Sequence, residues 1–167
     1  GVFCKTYFDI TYVVKSENPC AFMKVLVRLL AIVRVGQINI FNMDDGIEER
    51  FNKVVNFVND LNIDILAIQE LKYASKLQAL FREIGVNFYE YGNLSEDHKD
   101  GVAVFSKYPI VNSQKLIFEE DSRSGILVNI NTPGGDINII TAHFPHGFSN
   151  EAKRLSIARK IDNLSSN

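Results

Sequence analysis

Three polar residues stand at the ends of apolar segments, at Asn39, Glu70 and His143. The carboxyl ends of buried strands are where α/β sheets usually place their ligands. A carboxylate next to packed strand residues is costly unless a cation or strong hydrogen-bond donors compensate its charge. A hard cation such as Mg²⁺ accepts one or two carboxylates, water and phosphate oxygens, and an imidazole can exchange a proton with a phosphate group. These residue types are therefore candidates for one phosphate-binding site.

Each candidate also has a structural explanation. Glu70 could begin the following helix, where an acidic side chain favours the dipole. Asn39 and His143, taken singly, are better explained as satisfied polar groups. Asp100 could orient a catalytic histidine, although aspartate is also common in exposed loops. Arg123 stands just before a predicted strand and could contact a phosphate with two nitrogens, or simply be solvated.

The first half of the chain alternates strand and helix patterns that would position these residues. Residues 35–41 and 64–70 are short apolar runs typical of strands. Apolar residues recur at helical spacing over 47–61, and again before Gly85, which ends the second helix. This order implies that the two strands pair in parallel through a right-handed crossover.

The second half contains further strands and a final helix, predicted over residues 101–106, 110–118, 125–131, 136–143 and 150–164. Pro133, Gly134 and Gly135 make the last two strands a hairpin. The predicted fold class is α/β, or α+β in some schemes, with a layered β-sandwich flanked by helices. We expect residues 34–167 to form the domain and residues 1–33 to be an amino-terminal extension, in which Met23 is a candidate start and residues 1–22 could be upstream read-through.

Composition favours an ordinary globular protein with 46% hydrophobic and 23% charged residues. The net charge of −2 gives no support for nonspecific nucleic-acid binding. The two cysteines, Cys4 and Cys20, lack a metal-ligand spacing, and their sparse use fits a reducing compartment. Localisation is left open, with the cytoplasm favoured. Residues 21–35 are too short and too charged for a transmembrane segment. Oligomeric state is left open.

Four segments, in order along the chain, resemble motifs of the endonuclease/exonuclease/phosphatase superfamily. The segments are RVGQINI at 34–40, DILAIQE at 64–70, DGVAVFSKYPI at 100–110 and IITAHF at 139–144. The third is similar to the bacterial sphingomyelinase-like branch. The glutamate motif is the most specific of the four.

The resemblance implies a metal-dependent hydrolase of phosphodiester or phosphomonoester bonds. Glu70 would bind Mg²⁺ or Mn²⁺, and Asn39 would orient a phosphate oxygen or a water molecule. His143, oriented by Asp100, would donate to the phosphoryl group, and Arg123 would contact the substrate phosphate. The substrate could be a nucleic acid, a phospholipid headgroup or an inositol phosphate.

Members of the superfamily continue with a Gly-Asp-x-Asn motif and a terminal Asp-His pair, which the sequence does not contain after His143. The resemblance therefore implies a partial domain whose second sheet is incomplete. We expect this chain to be inactive or nearly so. The alternative is a noncatalytic binding or interaction module that keeps the scaffold.

Overall fold

Two β-sheets stack face to face, with helices on both outer faces. The computed structural model describes residues 12–15, 33–41, 46–92, 101–118, 123–144 and 151–165. The elements are β1 (Tyr12–Lys15), β2 (Val35–Asn39), α1 (Ile47–Asp60), β3 (Ile65–Gln69), α2 (Ala74–Arg82), β4 (Phe88–Tyr91), β5 (Val102–Ser106), β6 (Ile110–Phe118), β7 (Arg123–Thr132), β8 (Gly135–Ala142) and α3 (Glu151–Ser165). No helix in these ranges is long and apolar enough to cross a membrane.

The first sheet has the strand order β2-β3-β5-β4. Strand β2 pairs in parallel with β3, in a register that places Asn39 opposite Gln69. Strand β5 runs antiparallel to both β3 and β4. Every residue of β3 and β5 is buried, because structure covers both faces of these central strands. The parallel pairing predicted from the strand–helix–strand order is present.

The second sheet has the order β1-β8-β7-β6 and is antiparallel throughout. Strands β7 and β8 form the predicted hairpin, in which Thr132 pairs with Gly135. Strand β1 was not predicted from the sequence, and it lies within the region 1–33 that was treated as an extension. The other residues of that region, 1–11 and 16–32, lie outside the described residues.

Three apolar clusters fill the spaces between the layers. The first, under α1 and α2, includes Phe51, Val54, Leu66, Ile68, Leu77, Phe81 and Phe105. The second, between the sheets, includes Ile65, Val102, Val104, Ile126, Val128, Ile130 and Ile139. The third, under α3, includes Leu116, Phe118, Ile140, Ala142, Ile157 and Ile161. Alternate residues of β3 and β5 enter different clusters, as the period-two geometry of a strand requires. The predicted layered sandwich flanked by helices is confirmed.

Candidate active site

The side chains of Asn39 and Glu70 meet where the parallel strands β2 and β3 end. Asn39 Nδ2 donates to Glu70 Oε1 over 3.0 Å. Asn39 Oδ1 accepts the backbone N–H of Phe41 at 2.9 Å. Because a backbone N–H can only donate, this second bond fixes which end of the amide is oxygen. Asn39 therefore presents an N–H to the carboxylate and holds it in place.

Glu70 leaves the regular geometry of its strand. Strand β3 ends at Gln69, and Glu70 has a φ of 53°, in the left-handed region that non-glycine residues seldom adopt. Glu70 therefore lies in a turn at the end of the strand and not within its regular alternation. Helix α2 begins only at Ala74, so Glu70 does not start that helix either. The side chain is 18% exposed, which leaves its carboxylate reachable from solvent.

The imidazole of His143 reaches the same carboxylate from the second sheet. His143 follows β8, and its backbone N–H donates to the carbonyl of Ser124 on β7 at 3.2 Å. Its Nε2 lies 3.9 Å from Glu70 Oε1, and its side chain is 4% exposed. One carboxylate oxygen thus faces both the amide of Asn39 and the imidazole of His143. The structure brings these three predicted residues together.

Two polar residues that the sequence analysis did not select connect the sheets beside this carboxylate. Gln69 Nε2 donates to Thr141 Oγ1 at 2.6 Å, and both residues are fully buried. Gln69 directly precedes Glu70, and Thr141 lies two residues before His143. The bond therefore fixes the spacing between the strands that carry the carboxylate and the imidazole. A glutamine ending the apolar run ILAIQ was the available sequence signal.

Phe41 and Arg50 also border the site without having been predicted. Arg50 Nη1 on α1 donates to the carbonyl of Phe41 at 2.7 Å. Phe41 has a φ of 46° and is 66% exposed. Hydrogen bonds from both sides hold its backbone in a sparsely populated conformation, a kind of strain that concentrates at functional sites.

For two predicted site residues, Asp100 and Arg123, the described part of the chain shows no contact with the Glu70 carboxylate. Asp100 lies outside the described residues, so its proposed contact with the histidine stays a prediction. Arg123 is the first residue of β7, not a residue before the strand, and its backbone pairs with Phe118. The side chain of Arg123 is outside the described part, and its phosphate contact stays a prediction.

The donor set of the site suits a hard cation better than zinc. Within the described ranges, no group of three or more His, Cys, Asp or Glu residues converges. Zinc sites use three or four protein ligands, whereas Mg²⁺ keeps several waters and takes one or two carboxylates. The partly exposed carboxylate of Glu70, beside the amide of Asn39, fits the second pattern.

Solved structures share the fold at low sequence identity. D. rerio TDP2 complexed with single strand DNA product is 13% identical, with a TM-score of 0.62, and the match covers 77% of this chain and 52% of that one. TDP2 from C. elegans is 16% identical, with a TM-score of 0.65, over 80% of this chain and 42% of that one. An endonuclease/exonuclease/phosphatase family protein from Leptotrichia buccalis is 15% identical, with a TM-score of 0.54, over 68% and 54%. The chain thus spans about half the length of these structures.

No curated protein sequence matches the chain. The family model described as Endonuclease/Exonuclease/phosphatase family matches residues 36–167. The matched range includes both sheets except β1 and the first residue of β2, and it contains Asn39, Glu70 and His143. The sequence resemblance and the sheet architecture agree with this match, and the chain belongs to the endonuclease/exonuclease/phosphatase family.

Proposed function

We propose that this chain carries part of the active site of a divalent-metal-dependent hydrolase of phosphate esters. One observation carries the proposal: a single carboxylate oxygen of Glu70 lies 3.0 Å from the amide of Asn39 and 3.9 Å from the imidazole of His143. These groups come from two different sheets and have no shared role in the apolar core. Family membership supports the same class of reaction.

Each residue has a distinct part in the proposed site. Glu70, held by Asn39, would bind Mg²⁺ or Mn²⁺, and the cation would neutralise charge on the scissile phosphate. His143 donates a hydrogen bond from Nε2 to a phosphoryl oxygen as negative charge develops on it. The low exposure of His143 excludes water from this bond and so strengthens it. The more exposed Asn39 side is where a substrate enters.

We propose in addition that this chain by itself hydrolyses phosphate esters slowly or not at all. The described residues around the site supply a single carboxylate, and one carboxylate holds Mg²⁺ weakly because the ion loses water reluctantly. Within the same ranges, no third His, Cys, Asp or Glu residue joins Glu70 and His143 in a group that could hold a metal ion. Because turnover is expected to be low, phosphate binding in the presence of Mg²⁺ is the more informative readout for this chain.

The test measures phosphate binding and hydrolysis on the same variants. Calorimetry with inorganic phosphate should detect binding in Mg²⁺ but not in EDTA. Glu70→Ala should abolish the metal dependence, and His143→Ala should weaken phosphate binding about tenfold or more, as expected for a charge-assisted hydrogen bond. Glu83→Ala is the matched control, since Glu83 is an exposed carboxylate at the far end of α2.

Hydrolysis of bis-p-nitrophenyl phosphate and p-nitrophenyl phosphate is measured in parallel, with turnover expected near the uncatalysed rate. Fast turnover abolished by Glu70→Ala would support the hydrolase and contradict the low activity. Absence of phosphate binding in Mg²⁺, or binding unchanged by Glu70→Ala and His143→Ala, would contradict the proposed site. In that case the noncatalytic module becomes the better account.

A further inference from the structure

The side chain of Phe41 is presented to solvent at the border of the candidate site. It is 66% exposed, the largest exposed fraction among the large apolar residues that the structure describes. Its backbone N–H is bound by Asn39 Oδ1, two residues before it, and the carbonyl is bound by Arg50 Nη1. Consecutive Cα atoms are about 3.8 Å apart, so the Phe41 Cα lies within roughly 7 Å of the Cα of the site asparagine.

The fold maintains this exposure at a cost. Phe41 has a φ of 46°, a conformation that bulky residues rarely adopt. The residue before it, Ile40, is 7% exposed and belongs to the core under α1 and α2. Phe41 thus continues the exposed phase of β2, after Asn39 and the inward-facing Ile40, and does so with a left-handed backbone. Observed backbone strain beside a site is a reason to look for a ligand contact.

We propose that Phe41 is a stacking platform for a planar aromatic group, of the nucleobase type, attached to the phosphate ester. The inference rests on the proposed function, since the phosphate would be bound at Glu70 and His143. A phenyl ring stacks on any base without reading its hydrogen-bonding edge, so the contact selects base-bearing substrates without sequence preference. Phe41 would then act as a specificity residue beside the residues that contact phosphate.

Charge and the surrounding surface favour a base over a lipid as the group that contacts Phe41. The chain has a net charge of −2, so phosphate attraction alone gives little nonspecific affinity, and stacking would supply the discrimination. Insertion into a lipid surface needs a broad apolar face. The other exposed large apolar residues in the described ranges lie on other elements, or at Val35, at the opposite end of β2. A single exposed ring on a hydrogen-bonded backbone suits stacking.

The experiment compares binding of a fluorescent oligothymidylate with an abasic oligomer of the same length, by anisotropy in Mg²⁺ at low salt. Phe41→Ala should weaken binding of the base-bearing oligomer roughly 5- to 100-fold and leave abasic binding unchanged. Phe41→Leu keeps apolar bulk and should lose most of the preference, whereas Phe41→Trp should keep or increase it. Phe57→Ala is the matched control, because Phe57 is 39% exposed near the carboxyl end of α1.

The proposal is overturned if the wild-type chain binds both oligomers equally or neither, or if Phe41→Ala weakens both by the same factor. An equal effect of Phe57→Ala would overturn it too. So would a Phe41→Leu variant that keeps the full preference for the base-bearing oligomer. If Phe41→Ala weakened binding to neutral phospholipid vesicles and left binding of the base-bearing oligomer unchanged, Phe41 would be assigned to a lipid surface instead. Because the assay measures binding and not turnover, absence of hydrolysis would leave the base preference measurable.

Discussion

Breaking the hydrogen bond between Gln69 and Thr141 should destabilise the chain, whereas removing both partners should not. Gln69 Nε2 and Thr141 Oγ1 are 2.6 Å apart, and neither residue is exposed to solvent. Gln69→Leu leaves the threonine hydroxyl without this partner, and Thr141→Val does the same to the glutamine amide. A buried polar group deprived of its partner costs about 1–3 kcal/mol. Each single variant should therefore lose about that much free energy of unfolding.

The double variant differs because it removes both polar groups at once. Gln69 Oε1 is already buried without a hydrogen-bond partner in the described structure, so Gln69→Leu also removes one existing penalty. Replacing both partners by apolar groups of similar shape is close to neutral. Gln69→Leu/Thr141→Val should thus unfold within about 1 kcal/mol of the wild type, and the two substitutions should couple by at least about 1 kcal/mol.

Urea unfolding of the four proteins, followed by circular dichroism, measures this cycle. In a chain of this size, 1 kcal/mol corresponds to a shift of about 2–4 °C in Tm, so thermal melting gives an independent reading. Additive losses, with a double variant as unstable as the sum of the single variants, would refute the reasoning. Such additivity would mean that the two side chains do not contact each other between the sheets.

Three further perturbations have expected outcomes. Burial raises the pKa of Tyr108 above the ordinary value of 10.0, so the folded chain should lose stability as the pH rises through that raised pKa. Tyr108→Phe should reduce this loss, which is measured by comparing urea unfolding at about pH 9 and about pH 11. Gly101→Ala should lower the free energy of unfolding by about 1–3 kcal/mol, because a Cβ there would overlap the backbone carbonyl of Leu71, and the same unfolding assay checks it. Asn39→Asp places a second carboxylate beside Glu70, so Tm should fall in EDTA by an amount equivalent to about 1 kcal/mol and recover in Mg²⁺. Equal Tm values of this variant in EDTA and in Mg²⁺ would contradict the cation site.

Apolar periodicity was enough to predict most elements of the layered fold. Helix α1 buries Phe51, Val54 and Val58 at helical spacing, and β3 is a continuous apolar run. Strand β4 was missed because its four residues run from exposed Phe88 to buried Tyr91 without alternation. Its formation depends on pairing with β5, which a local pattern does not contain.

The candidate site was predictable in its residue types but not in its geometry. Motif resemblance selected Asn39, Glu70 and His143, but the turn that holds Glu70 was not predicted. Its carboxylate is aimed by a left-handed turn, which no residue type in that segment demands. The partner of Gln69 is 72 residues away, so the buried bond between the sheets follows from tertiary structure alone.

The most direct test of a shared metal and phosphate site is paramagnetic broadening of histidine imidazole signals by Mn²⁺. The His143 imidazole lies 3.9 Å from the Glu70 carboxylate, so trace Mn²⁺ bound there should broaden its proton signals first among the three histidines of the chain. His143→Ala assigns the signals, and Glu70→Ala should restore their sharpness at the same Mn²⁺ concentration. Broadening that persists in Glu70→Ala, or that spares His143 in the wild type, would contradict the site.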